Sequence, residues 1–189
     1  MMMFYHTINM TSEPFSNRKI RKIIDEYIRK LHQKYYGQFK ICDPFARASF
    51  TVEEPNCITN DMNPEFNTDY NMEFNDFADL MEKEEHKFRL ILFDPPYNLT
   101  LLKKHYDGIG AHLERWQTHN MWGQGKDCLA RTVLPGGYVI SFGYNTHGFG
   151  HKRGFEKIAI HVLECRARED QYNLLITVEQ KMQKKLSEC

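Results

Sequence analysis

The sequence predicts an α/β domain whose sheet is mostly parallel and carries a C-terminal antiparallel hairpin. Three observations predict it. Phe88–Phe93 is a short, unbroken apolar run, as a parallel strand buried on both faces requires. Helical patterns alternate with such runs along the chain. Near the C terminus, Lys157–Arg166 and Tyr172–Lys181 flank Ala167–Gln171 and read as a hairpin.

Taken in order, residues 1–17 look irregular. Ser16 or Asn17 can cap a helix in which Ile20, Ile23, Ile24, Tyr27, Ile28 and Leu31 recur at helical spacing. Its other face holds Arg18, Lys19, Arg21, Lys22, Arg29, Lys30 and Lys34, either a solvated surface or a strip for phosphates. Gly37 ends it. Gln38–Cys42 reads as a short strand running into Asp43-Pro44-Phe45, and Asn56–Asn60 as a second strand ending at Asp61. Asn63–Asn75 is mostly loop, and Asp76–His86 a helix. The segment 98–120 has weak periodicity and reads as a long mobile loop of functional length. A helix covers about 121–133, Pro135-Gly136-Gly137 is a turn, and Tyr138–Phe142 is another buried strand. Gly143–Gly154 is glycine-rich loop or one short helix.

Composition bounds the function. The chain of 189 residues suits one domain, with residues 1–37 packing as an appendage on a core domain at 38–189. The 25 basic and 25 acidic residues balance, so any nucleic-acid binding needs a local basic patch. Five scattered cysteines with no C-x-x-C pair predict a reducing, cytoplasmic setting and no structural zinc. His147 and His151 lack a third ligand, so no metal site is expected. The N terminus lacks the pattern of a signal peptide, and no apolar run is long enough to span a membrane.

The chemistry concentrates at Asp94-Pro95-Pro96-Tyr97-Asn98, just past the carboxyl end of the apolar strand, where open α/β sheets place their ligand crevices. Consecutive prolines hold the backbone extended and remove two N–H donors, leaving carbonyls to accept. An ionised carboxylate before them only accepts, and a tyrosine after them offers a flat ring. Acceptors beside an aromatic face suit the exocyclic amine of a planar base, which must first leave its stack.

This run resembles the catalytic motif of the S-adenosylmethionine-dependent amino-methyltransferases that modify adenine or cytosine in DNA: Asp, Asn or Ser, then Pro-Pro, then an aromatic. The resemblance covers roughly residues 38–180 and implies the Rossmann-like sheet of class I methyltransferases. It implies cofactor contacts at Asp43, Pro44, Phe45 and Ala46, matching the start of the family's Asp-Pro-Phe-x-Gly-x-Gly loop. Both glycines of that pattern are replaced here, by Arg47 and Ser49. It implies that Asp61, with Met62, holds the cofactor ribose, and that Asp76 and Phe77 meet its adenine. Bland alternatives are a turn at Asp61 and a helix N-cap at Asn75 or Asp76. Asp107-Gly108-Ile109-Gly110, Ser141–Asn145 and Lys152–Phe155 resemble segments of small phage-encoded adenine methyltransferase-like proteins. Tyr144, Asn145, Lys152 and Arg153 from the last two segments, with Asn98 directly after the motif, are substrate-binding candidates.

The implied reaction is methyl transfer to the amino group of a flipped adenine in DNA. Asp94 and the Pro95 carbonyl accept from the amine, Pro96 holds the backbone, and Tyr97 stacks on the base. Within the resemblance no insertion is large enough for a separate target-recognition domain, so specificity is weak, the site is short, or a second copy or a partner subunit supplies it. Two rivals remain: a catalytically inactive protein of the same fold that serves phage anti-defence or binding, and a methyltransferase for RNA or a protein amide.

Overall fold

The computed structural model describes residues 1–9, 14–96, 121–165 and 173–183. Seven strands form one sheet: β1 (Met2–Ile8), β2 (Ile41–Asp43), β3 (Cys57–Thr59), β4 (Phe88–Phe93), β5 (Val133–Gly143), β6 (Phe155–Cys165) and β7 (Leu174–Lys181). Their spatial order is β1-β6-β7-β5-β4-β2-β3. Only β7 runs against its neighbours, being antiparallel to both β5 and β6. The expected hairpin is therefore present, but it does not form the sheet's edge. β1 lies outside it, parallel to β6 from Met2 against Ala159 to Ile8 against Cys165.

That strand corrects the reading of residues 1–17 as irregular. Met2, Met3, Phe4 and Tyr5 are all exposed and only Ile8 is buried, so the run lacks the one-sided burial that makes a strand visible as alternation. A 3-10 turn at Pro14–Ser16 then leads to α1 (Arg18–Tyr35). The Asn17 side chain caps α1 by accepting from the Lys19 N–H, and Tyr36 ends it in the left-handed conformation at φ 51°.

The sheet is covered on both faces. α1 buries Ile20, Ile23, Ile24, Tyr27 and Leu31 against Ile41, Leu90, Leu92, Ile140 and Ile176. α2 (Phe74–Lys83) and α3 (Gly123–Thr132) cover the other face, where Phe77, Met81, Leu129 and Val133 meet Phe88, Ile91, Phe93 and Val139. β4 sends Leu90 and Leu92 to one layer and Ile91 and Phe93 to the other, as its unbroken apolar run requires. Arg131 of α3 clasps Glu82 of α2 through two hydrogen bonds.

Pro135-Gly136-Gly137 does not separate α3 from β5 as a turn. It is a bulge within β5, where Val133 to Tyr138 faces only Phe88 to Leu90. Gly136 takes φ 79°, and a Cβ on Gly137 would lie 3.0 Å from the Arg89 and Leu134 carbonyl oxygens. The freed carbonyls are used: Arg89 donates to the oxygen of Pro135 and Gln180 to that of Gly136. Between β5 and β6 the described chain has a 3-10 turn, His151–Arg153. No helix among the described residues is long and apolar enough to cross a membrane.

Candidate active site

Parallel strands align their carboxyl ends, so β2, β3, β4 and β5 deliver the segments that follow them to one rim. After β2 comes Asp43–Ser49, after β3 Asn60–Met62, after β4 Asp94-Pro95-Pro96, and after β5 Tyr144-Asn145. Tyr97, Asn98 and the segment 98–120 lie outside the described residues.

The loop after β2 is built around Asp43. Its carboxylate is fully buried and accepts from the Phe45 N–H at 3.2 Å, Ser49 Oγ at 3.4 Å and Thr51 Oγ1 at 2.8 Å. Burial pushes its carboxyl up to about 7; the Thr51 and Phe45 hydrogen bonds pull it down, and the nearby charge of Asp94 pushes it further up. β2 and β4 are paired, Cys42 against Ile91, so the acid of β4's motif follows the strand next to the loop after β2. Asp94 itself is half-buried, Pro95 buried and Pro96 half-buried.

Arg47 stands where the amino-methyltransferase pattern has a glycine, and it adopts φ 50°. The loop thus takes a left-handed backbone at a residue other than the glycine that favours it. The guanidinium of Arg47 lies 5.9 Å from the centroid of the Phe66 ring. Pro44 and Ala46 are buried, and Phe45 is half-buried, stacked on Phe74 and edge-on to Phe93 and Trp122.

Asn60 was not singled out in the sequence, yet it organises the rim. Its buried side chain donates to the carbonyls of Pro44 and Met72 and accepts from the Met72 N–H, while its carbonyl accepts from Ala46 N–H. An Asn at a strand end is too common for sequence alone to mark. Asp61 accepts from the Asn63 N–H at 2.9 Å, a local turn, and is half-buried like Met62. Thr59, at the end of β3, is held by Asp69 through its N–H and hydroxyl, each at 2.8 Å.

The start of α2 differs from the sequence expectation. Glu73 is the N-cap, accepting from Asn75 N–H at 2.6 Å. Asn75 instead serves α3: its Oδ1 accepts from Gly125 N–H at 2.9 Å and its amide donates to the Met121 carbonyl. Trp122, the N-cap position of α3, supplies no side-chain bond, so Asn75 caps that helix from outside. Asp76 is exposed on the first turn of α2, and Phe77 is fully buried beside Tyr70.

Of the substrate candidates, Asn145 is exposed and accepts from His147 N–H, Tyr144 is half-buried and Lys152 exposed. Arg153 turns to the protein: it pairs with Asp127 at 2.6 Å and donates to the carbonyls of Phe149 and Gly123. The loop it braces is fixed by the buried Glu179, which accepts from Phe149 and Gly150 N–H groups. Lys126 donates to the Gly148 carbonyl and lies 4.7 Å from the Phe93 ring centroid; burial pulls its ammonium down to about 8. Cys42, next to Asp43, is fully buried, and burial pushes its thiol well up.

No protein-family model and no curated protein matches the sequence. Solved structures do match, at low identity. HI0767 of Haemophilus influenzae, described as a methylase, aligns over 85% of this chain and 89% of its own at 11% identity and a TM-score of 0.54. The N-methyltransferase NodS from Bradyrhizobium japonicum aligns over 92% of this chain and all of its own, at 11% identity and TM-score 0.50. TrmN from Thermus thermophilus gives TM-score 0.50 at 13% identity over 82% of this chain, which spans about half (48%) of TrmN. These likenesses establish the fold: the chain has the Rossmann-like sheet of class I methyltransferases, mostly parallel, with the antiparallel β6–β7 pair.

Proposed function

We propose that the chain is an S-adenosylmethionine-dependent methyltransferase acting on the exocyclic amine of adenine in DNA. The observation that carries this reading is the placement of Asp94-Pro95-Pro96 at the carboxyl end of β4, the strand paired with β2, from which the Asp43 loop leaves. The methyltransferase fold supports the cofactor class.

The rim residues fit that cofactor chemically. Half-buried Asp61 and Asp94 follow β3 and β4 and offer carboxylates to a sulfonium and an ammonium group, while the fully buried Asp43 holds the loop after β2 in shape. Half-buried Phe45, Tyr70 and Met72 supply apolar contact area. Bound there, the cofactor would supply an electrophilic methyl group on a good leaving group. The protein's own work is then positioning and charge placement. Asp94 and the Pro95 carbonyl accept hydrogen bonds from the amine, which keeps lone-pair density on its nitrogen. The two prolines fix those acceptors in an extended backbone. Asn60 holds Pro44 and Ala46, which ties the loop after β2 to the end of β3.

A second reading, a methyltransferase-fold binding module without catalysis, is favoured by the loop itself. Arg47 and Ser49 add side chains where glycines would let backbone approach a ligand. RNA or a protein amide are the other acceptors to test. Asp94→Ala separates the readings. The proposed enzyme loses transfer by about a hundredfold or more, with thermal melting and cofactor calorimetry near wild type. Wild-type transfer by Asp94→Ala would refute the role given to Asp94. Cofactor binding by a wild-type chain that transfers to no acceptor would establish the binding module.

A further inference from the structure

Beside the loop after β2 lies an open cavity of about 660 Å³, a volume within the range of small-ligand sites. One wall is the first turns of α1, with Arg18, Arg21 and Lys22; the other is the loop, with Ser49 and Phe50. Arg18 and Lys22 are four residues apart, so both project from one helix face. Both are exposed, and neither enters an ion pair among the described residues. Arg21 is held in place: its guanidinium lies 3.4 Å from the Phe50 ring centroid and its Nε donates to Asp25 at 2.7 Å. Among the described residues Asp25 is the only carboxylate lining the cavity, against three cations. In a chain of zero net charge this is a concentrated basic site. The other end of the helix differs, since Lys30 pairs with Glu26 at 2.7 Å and lies over the Tyr27 ring.

The cavity also touches the proposed active site. Ser49, on its wall, bonds Asp43 Oδ2, and the charge of Asp94 acts on that same carboxyl. We propose that this groove binds the phosphodiester backbone of the strand whose base enters the crevice, with Arg18 and Lys22 on successive phosphates and Arg21 fixed between them by Phe50. This rests on the nucleobase reading above. It makes α1 the nucleic-acid interface of a chain with no overall positive charge.

The test is fluorescence anisotropy with a labelled single-stranded oligonucleotide, comparing wild type, Arg18→Glu/Lys22→Glu, and the control Arg29→Glu/Lys34→Glu on the distal part of α1. All four positions are exposed, and cofactor calorimetry checks that each variant is folded. The groove variant is expected to bind at least about tenfold more weakly, with a log-log salt slope shallower by about 1.4, as for two lost phosphate contacts on a single strand. The control should bind within about twofold of wild type. Equal loss in both variants, or none in the groove variant, overturns the proposal. A second arm titrates inorganic phosphate and adenosine monophosphate. Saturable binding of either that is lost in the groove variant, with oligonucleotide binding unchanged, assigns the groove to a small phosphate ligand and also overturns it. Methyl transfer to DNA by a groove variant with normal oligonucleotide binding leaves the nucleobase reading standing without the groove. Groove-dependent binding with no transfer to any nucleic acid does the reverse.

Discussion

Asp43 shows how one residue serves both the fold and the crevice. Its carboxyl, pushed up to about 7, sits above the ordinary range for aspartate, which the unfolded chain recovers. Its contribution to stability is therefore fully present below about pH 4 and is lost as pH rises through 7. Asp43→Asn keeps an oxygen to accept from the Phe45 N–H, turns the Thr51 contact into one in which the amide donates to the hydroxyl, and removes the buried charge. We expect it to melt several degrees above wild type at about pH 8 and by a smaller margin at about pH 5, in thermal scans followed by circular dichroism. An equal margin at both values would show that Asp43 titrates normally. Asp43 was legible in the sequence as the end of a strand. Its three internal partners were not, because Ser49 and Thr51 reach it only through the tertiary course of the loop. Arg47 illustrates the converse. Its identity departs from the glycine pattern, and the sequence could not disclose that it stands in the left-handed region at φ 50°.

Among the elements, those with strong internal patterns were legible and those defined by their neighbours were not. α1 and β4 carry complete apolar patterns, and both stand where the sequence places them. β1 lacks such a pattern, and its place depends on β6. There the His161 ring stacks on Phe4 at 4.7 Å and bonds His6 at 3.1 Å. Burial, and then the neighbouring His6, pull His161 down to about 4, and its Nε2 has no partner among the described residues. A histidine held below its unfolded value stabilises the fold above about pH 6.5 and loses that contribution as pH falls through 4. β1 should therefore loosen on acidification. His161→Phe retains the stack on Phe4 without a proton to accept. Amide hydrogen exchange across residues 2–8 should quicken from about pH 7 to 4.5 in wild type, after correction for intrinsic rates, and far less in the variant. The same acceleration in both would mean that another group controls the strand. Similarly, the Pro135-Gly136-Gly137 bulge has the residues of a turn, and only the β4 register identifies it as part of a strand.

At the scale of the whole molecule, the sheet order brings sequence-distant segments to one rim, and this is why a four-residue motif can be given a function. Asp43, Asn60, Asp61 and Asp94 meet because β2, β3 and β4 are adjacent and parallel. The fold was readable from the order of apolar strands and helices. Acceptor identity was not, since Tyr97 and Asn98 depend on a segment with weak periodicity, and Arg153 is used within the protein. The adenine reading therefore rests on the acceptors of Asp94 and Pro95 at the carboxyl end of β4. The most direct test incubates the purified chain with methyl-labelled S-adenosylmethionine and unmodified DNA, RNA and protein pools, then analyses the digested DNA by mass spectrometry. The account predicts label in DNA as N6-methyldeoxyadenosine, absent with Asp94→Ala. Label confined to RNA or protein, or no label in any pool while the cofactor binds, would contradict it.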